Sequence, residues 1–549
     1  MNLTRKLTAL GLCLALILPQ TALASDALGH DLHTAGRLLS QGTALTTGWF
    51  WSDTYSDLRT ERYLTYTPNT AVTPTVAYGT NVIDKATLTA MAKSLESQGK
   101  RVVGGTNGDF YVMATGQPLG LVVTDGVVRS SSSYHYAVGF RADGTAFIGQ
   151  PQLRITATLP TARVNVSGGI NKVRQVTNAD GGGLTLLTGD FASTTQNTKG
   201  GVDIYLTLLT DEVGQSMDVL TPVQVAQPTE AYTIDPDTGL QVPGEPTYVT
   251  EMRPTGEQIE VSKDLRIGKR VRCKVDFVTE AAGANPLQPG SLVLTMNGTD
   301  DPAVLAQLRA LKPGDQVDID ITSADSRWSE ATQALGGMYR LLENGKLGSN
   351  LSAERTARTA VGIRPDGTVL FYTMDGKQSG YSVGANCTQV AQRLLELGCT
   401  EALGLDGGGS TTIGITDPAD SSFSVVNRPS DGAQRANSTA LFLTTELKPT
   451  GVAGSLLLTP GDALVLSGTR LQFSATYLDT AWYAMAGQAQ NVRYTAAGTG
   501  EITPEGTFTA GKAGTTTITG LSGSLTGSTG VTTVETPDKI TVTNEATGG

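Results

Sequence analysis

One pattern occurs twice in this chain, and it limits what the chain can become. An amphipathic helix is stopped by a glycine, a short apolar strand follows, and the strand ends on an acid set among glycines. In the first copy Asp84 can cap a helix whose Leu88, Met91, Ala92 and Leu95 share one face, and Gly99 ends it. Arg101 to Gly105 then reads as a strand running into Asn107-Gly108-Asp109-Phe110-Tyr111. In the second copy Cys387 to Leu397 carries Val390, Ala391, Leu394 and Leu395 on one side, and Gly398 stops it. Glu401 to Leu405 then delivers Asp406-Gly407-Gly408-Gly409-Ser410. Ligands of layered α/β arrangements gather at the carboxyl ends of strands, so Asp109 and Asp406 are expected in a site.

With 549 residues the chain should form several domains. Residues 1–24 read as an export signal: Arg5 and Lys6, the apolar run Leu7 to Leu18, then Ala22-Leu23-Ala24 as a cleavage site. The run is too short to span a bilayer, and no second one reaches that length. A secreted or cell-surface protein that does not span the membrane is expected, cleaved near Ala24. Residues 25–80 read as lead-in strands separated by Pro68 and Pro74, and 81–447 as the main domain, with a β-rich insertion near 205–330. Residues 453–535 are rich in Thr, Gly and Ser and read as strands of period two; 536–549 read as a tail. The expected fold class is α+β, with mixed sheets and a few covering helices, plus a C-terminal β-sandwich.

Without the signal, 38 basic residues face 51 acidic ones. Such a surface argues against nucleic acid, which needs a basic footprint. Cys273, Cys387 and Cys399 remain after export, an odd number and a poor disulfide framework. Cys387 and Cys399 bracket a predicted helix about 18 Å long, beyond disulfide reach, so core thiols are expected.

The three histidines are His30, His33 and His135, which leaves little room for a histidine-based zinc hydrolase. No Gly-x-Ser-x-Gly elbow accompanies His135, which reads better as a strand histidine. Carboxylates assisted by arginine remain. Asp109, Asp375 and Asp406 are candidates for nucleophile, base or oxocarbenium stabiliser. Arg358, joined by Arg435, could hold a phosphate, because the guanidinium fork takes two oxygens at once. The Gly407-Gly408-Gly409 amides could form an anion-binding nest beside Ser410, although such runs also serve as plain turns.

Taken in order, these motifs resemble the phosphodiester glycosidase (uncovering-enzyme-like) family. The resemblance rests on Asn107-Gly-Asp-Phe-Tyr111, Pro118 to Gly126, Arg358-Thr-Ala-Val-Gly-Ile363, Asp375-Gly-Lys377, Ser379-Gly-Tyr-Ser382, Leu405-Asp-Gly-Gly-Gly-Ser-Thr411 and Asn427-Arg-Pro-Ser-Asp-Gly432 with Arg435. It implies release of N-acetylglucosamine from a phosphodiester on a glycan or cell-wall polymer. It also implies that Asn107, Lys377, Ser382 and the 407–410 turn contact the substrate. Ala357 and Lys377 depart from the family's proline and arginine; lysine keeps the charge but loses the fork. Gly500 to Gly511 resembles the bacterial Ig-like group 2 domain, which implies a module that contacts the cell surface. No cofactor is required by this reading. Two alternatives stay open: a phosphodiesterase whose clustered aspartates hold Ca²⁺ or Mg²⁺, and a non-catalytic glycan-binding module.

Overall fold

A computed structural model describes residues 27–131, 135–173, 183–197, 200–227, 232–244, 246–280, 285–298, 300–420 and 422–536. The expected export signal and the tail beyond 536 lie outside the described residues.

The lead-in residues form an antiparallel meander, His30–Ser40, Thr43–Ser52 and Asp57–Tyr66. Its last strand pairs with Val369–Met374, which continues through Arg358–Ile363, Glu401–Gly404, Tyr339–Glu343 and Lys346–Leu347 to complete eight strands. Every residue of Arg358–Ile363 and Val369–Met374 is buried. A five-stranded sheet runs Ser424–Val425, Ile413–Ile415, Arg101–Asn107, Thr439–Thr445, Thr73–Tyr78. Pro74 lies inside the last of these, expected to be a break; the strand is at an edge, where a missing N–H is tolerated. A second five-stranded sheet contains Gln333–Gly337 and Tyr136–Phe140. These three sheets share one core, with Leu45, Leu64, Val103, Phe140, Phe371 and Leu441 among its members.

The middle of the chain builds a ten-stranded sheet between Arg154–Thr158 and Gln316–Thr322, over a separate core around Trp328. Residues 453–534 form three smaller sheets around Leu456, Phe473, Phe508 and Ile518. Arg101 lies over the Tyr483 ring at 4.2 Å and joins this end to the body.

The expected α+β class is not what forms. Strands account for 49% of the chain and helices for 7%, which makes the fold β-rich. Both helices of the repeated pattern exist, yet Leu88–Ser97 and Cys387–Glu396 have only 10 residues each. One packs on Val102, Ala440 and Phe442, the other on Ala360, Leu370 and Tyr372. Each covers a patch of one sheet, while sheet-on-sheet contacts supply most of the core. Thr87, not Asp84, caps the first helix, and Leu395, expected on the apolar face, is 42% exposed. The three cysteines are free and buried, as expected of core thiols. Among the described residues no helix is long and apolar enough to cross a membrane.

The second helix is fastened by an ion pair. Arg393 donates to both Glu61 oxygens, at 2.8 and 3.1 Å, and Tyr372 donates to Glu61 Oε2 at 2.9 Å. Both charges are almost fully buried, so removing one strands the other. Arg393→Met should lower unfolding stability by about 3–5 kcal/mol, measured by urea denaturation.

Candidate active site

Asn107 ends the Arg101–Asn107 strand, and its amide faces three elements at once. Its Nδ2 donates to the Asp406 carbonyl at 2.8 Å. Its Oδ1 accepts from Thr359 Oγ1 at 2.8 Å and from Thr412 N at 3.1 Å. Asp406 N in turn donates to the Gly108 carbonyl at 3.0 Å. The two strand ends of the repeated pattern are thereby clamped side by side, and Asp109 and Asp406 act on each other electrostatically.

Asp109 is 1% exposed. Its Oδ2 accepts from Gly120 N at 2.6 Å, and its own N–H donates to Thr439 Oγ1 at 2.9 Å. A side chain at Gly120 or Gly336 would place its Cβ 2.8 or 2.5 Å from that carboxylate oxygen, so both positions must stay bare. Burial pushes the Asp109 carboxyl up to about 7, against the downward pull of the Gly120 N–H and the nearby Lys172 charge. Asp406 is half-buried, and burial raises it too. The Ser410 hydroxyl, the Arg435 charge and the Gly407 N–H oppose that rise. Two carboxyls in different surroundings can divide acid and base work between them.

Arg435 supplies the cation. Its Nη1 donates to Ser410 Oγ at 3.4 Å, while Nε donates to Asp431 at 2.9 Å. A Cβ on Gly409 would stand 2.1 Å from Arg435 Nη2 and 2.2 Å from Asp431 Oδ1, so glycine there lets the ion pair lie against the turn. Tyr111 donates to the Ala436 carbonyl at 2.9 Å; burial, then the Asp406 charge, hold its hydroxyl above the usual value.

The glycine turn itself is a 3₁₀ element over Gly408–Ser410. Gly408 N donates to the Ala357 carbonyl, Ser410 N to Gly407 and Thr411 N to Gly408. Those amides are engaged within the protein. The Gly407 N–H faces the Asp406 carboxylate, and the turn holds Ser410 between Asp406, Tyr111 and Arg435.

Asp375 belongs to a neighbouring cluster. Its Oδ2 accepts from Arg62 at 2.9 Å and Tyr381 at 2.8 Å, and its Oδ1 from Asn427 at 2.8 Å. Asn427 also donates to the Thr411 carbonyl at 3.1 Å, and Thr411 lies 3.2 Å from Thr359 Oγ1. One hydrogen-bonded chain thus joins Asp375 to Asn107 and Asp406. Ser382 is a fastener: it donates to the Asp375 carbonyl at 2.7 Å and accepts from Thr60 N at 3.0 Å. Arg358 donates from Nε to the Ala385 carbonyl and from Nη2 to the Glu354 carbonyl and Ser352 Oγ. Lys377 stands apart at φ 59°, with Nζ 3.3 Å from Glu354. It lines an open cleft of about 560 Å³ with Tyr55, Asp57, Arg355 and Ser379.

Arg62 and Lys172 were not legible as site residues, since each lies where the sequence shows only ordinary strand or loop; Tyr381 lay inside a quoted motif with its partners unrevealed. Asn427, Asp431 and Tyr111 lay inside quoted motifs, but nothing local revealed their partners. Among the described residues no three His, Cys, Asp or Glu side chains gather as metal ligands.

The raised Asp109 value has a consequence for stability. The folded state holds this proton more tightly than the unfolded chain does. The contribution is therefore fully present below about pH 4 and is lost as the pH rises through about 7. Asp109→Asn does not ionise in that window. Its stability relative to the parent should rise by on the order of 3 kcal/mol between about pH 4.5 and 7.5 in urea unfolding.

A comparison with curated proteins gave no match. Among solved structures, a protein of Synechocystis is similar at 15% identity and a TM-score of 0.49. The alignment covers 74% of this chain and 62% of that one. A protein of Burkholderia pseudomallei described as exported is similar at 16% identity and a TM-score of 0.47, over 71% of this chain and 74% of that one. The zebrafish N-acetylglucosamine-1-phosphodiester alpha-N-acetylglucosaminidase catalytic domain is similar at 14% identity and a TM-score of 0.32, over 75% of this chain and 87% of that one. Within this chain it is residues 275–444, the stretch holding Arg358, Asp375, Asp406 and Arg435, that match the Phosphodiester glycosidase family model.

Proposed function

We propose that the Asp109–Asp406 site hydrolyses the glycosidic bond of a sugar-1-phosphodiester, with an N-acetylglucosamine-like sugar on a glycan or cell-envelope polymer. The family match over residues 275–444 supports a hydrolase acting on sugar phosphodiesters. The observation that carries the reading is the pairing of two carboxyls in unequal surroundings with one arginine, at two clamped strand ends. In such a reaction the C1–O bond breaks, the phosphate stays on the acceptor as a monoester, and water adds to the sugar. A phosphate already leaves well, so neutralising its charge matters more than protonating it. Arg435, beside Ser410 though paired with Asp431, and Arg358, whose Nε and Nη2 rest on neutral acceptors, are the cations available for that task. Asp406, the more open acid, faces the anomeric carbon or its water, and Asp109 holds or releases the proton. Export of the mature chain from near Ala24, with residues 453–535 as an Ig-like module at the cell surface, completes the reading.

Hydrolysis of an N-acetylglucosamine-1-phosphodiester in ¹⁸O-labelled water should place the label in the released sugar. Label in the phosphate would mean P–O cleavage and a phosphodiesterase instead. Asp406→Asn should lower kcat by about 10²-fold or more in the same assay, and Arg435→Ala should slow it more for diesters than for aryl glycosides. Sugar binding without turnover, unaltered in Asp406→Asn, would leave a glycan-binding module.

A further inference from the structure

Behind Asp109 lies a segment that the site as described does not use. Residues 171–173 meet the hairpin-like loop that the Tyr111–Pro118 bridge closes, whose far arm is Gln117 to Gly120. Asn171 Nδ2 anchors the segment on the Arg129 carbonyl at 2.8 Å and on Thr188 Oγ1 at 2.9 Å. Val173 N donates to the Gln117 side chain, and Lys172 Nζ donates to the Pro118 carbonyl at 2.8 Å. The hairpin is closed by Leu119 N on the Phe110 carbonyl at 2.9 Å, and Gly120 N then reaches Asp109 Oδ2 at 2.6 Å. Lys172 thus grips the peptide two residues before the one that holds the carboxylate.

From this geometry we infer that Lys172 is a positioning residue for Asp109: it fixes the 117–120 loop under the carboxylate and brings a cation close behind it. The inference rests on the proposed role of the Asp109–Asp406 site. Four groups enter the electrostatics. Lys172 pulls Asp109 down, and Asp406 pushes it up. Burial brings the Lys172 ammonium down to about 8, and the Asp109 charge opposes that fall. His135, from the start of the adjacent strand, is lowered first by burial and then by the Lys172 charge. A neighbouring cation favours the charged form of a buried carboxyl, so removing it favours the protonated one.

The test reads Asp109 itself, by pH-difference infrared spectroscopy of its carboxyl band, assigned by subtraction of Asp109→Asn. In Lys172→Gln, which keeps a donor for the Pro118 carbonyl but not the charge, the Asp109 titration should move up by about one pH unit. The pH–rate limb on the sugar-1-phosphodiester should move with it. Lys172→Arg should stay near the parent in both readouts. An unshifted Asp109 band in Lys172→Gln overturns the inference, and so does a rise in KM alone, which would make the lysine a direct substrate contact. The infrared readout does not require turnover, so absent hydrolysis would count against the proposed reaction while the band still decides the role of Lys172.

Discussion

A single buried amide holds this molecule's two halves in register. Asn107 is fully enclosed, and each bond it makes belongs to a different element: the end of the Glu401–Gly404 strand, the Arg358–Ile363 strand and the chain after the glycine turn. A buried amide left unpaired costs a few kcal/mol, so this side chain tolerates one arrangement of those elements and disfavours others. The acids owe their closeness to it. They come from places 297 residues apart in the chain, and neither strand alone dictates where the other ends.

The two carboxyls also show how surroundings divide labour between like groups. Asp109 is almost fully buried against the Gly120 N–H, and its charge is costly there. Asp406 opens partly to solvent and faces Ser410 and Arg435. Asp375 lies in a third setting, saturated by Arg62, Tyr381 and Asn427, with few lone pairs left to offer a substrate. Asp375 thus ties the eight-stranded sheet to the segment that follows Ser424–Val425.

Local patterning made part of this legible. A helix, its glycine stop and the strand after it are written within some twenty residues, so both acids could be placed at strand ends from sequence. The free buried cysteines followed from spacing alone. The overall class did not follow, because a helix pattern announces itself in one window, whereas a sheet is assembled from remote segments. The lead-in residues gave no hint that Asp57–Tyr66 pairs with Val369–Met374. Lys172 and Arg62 were hidden for the same reason: a lone basic residue acquires meaning only from what lies across from it. The glycine run was legible as a special turn, but its amide partners, including the Ala357 carbonyl, were not.

The Arg101–Asn107 strand sits between Ile413–Ile415 and Thr439–Thr445, so both of its neighbours are made long after it. Asp109 finds Thr439 only 330 residues further along the chain. During synthesis this strand must wait, apolar and unpaired, while the whole middle sheet is made. Its glycines and shortness keep it a poor template for mispairing meanwhile. The paired acids are therefore completed late, and a chain cut short between Asp406 and Thr439 carries both of them yet not the hydroxyl on which the Asp109 N–H rests.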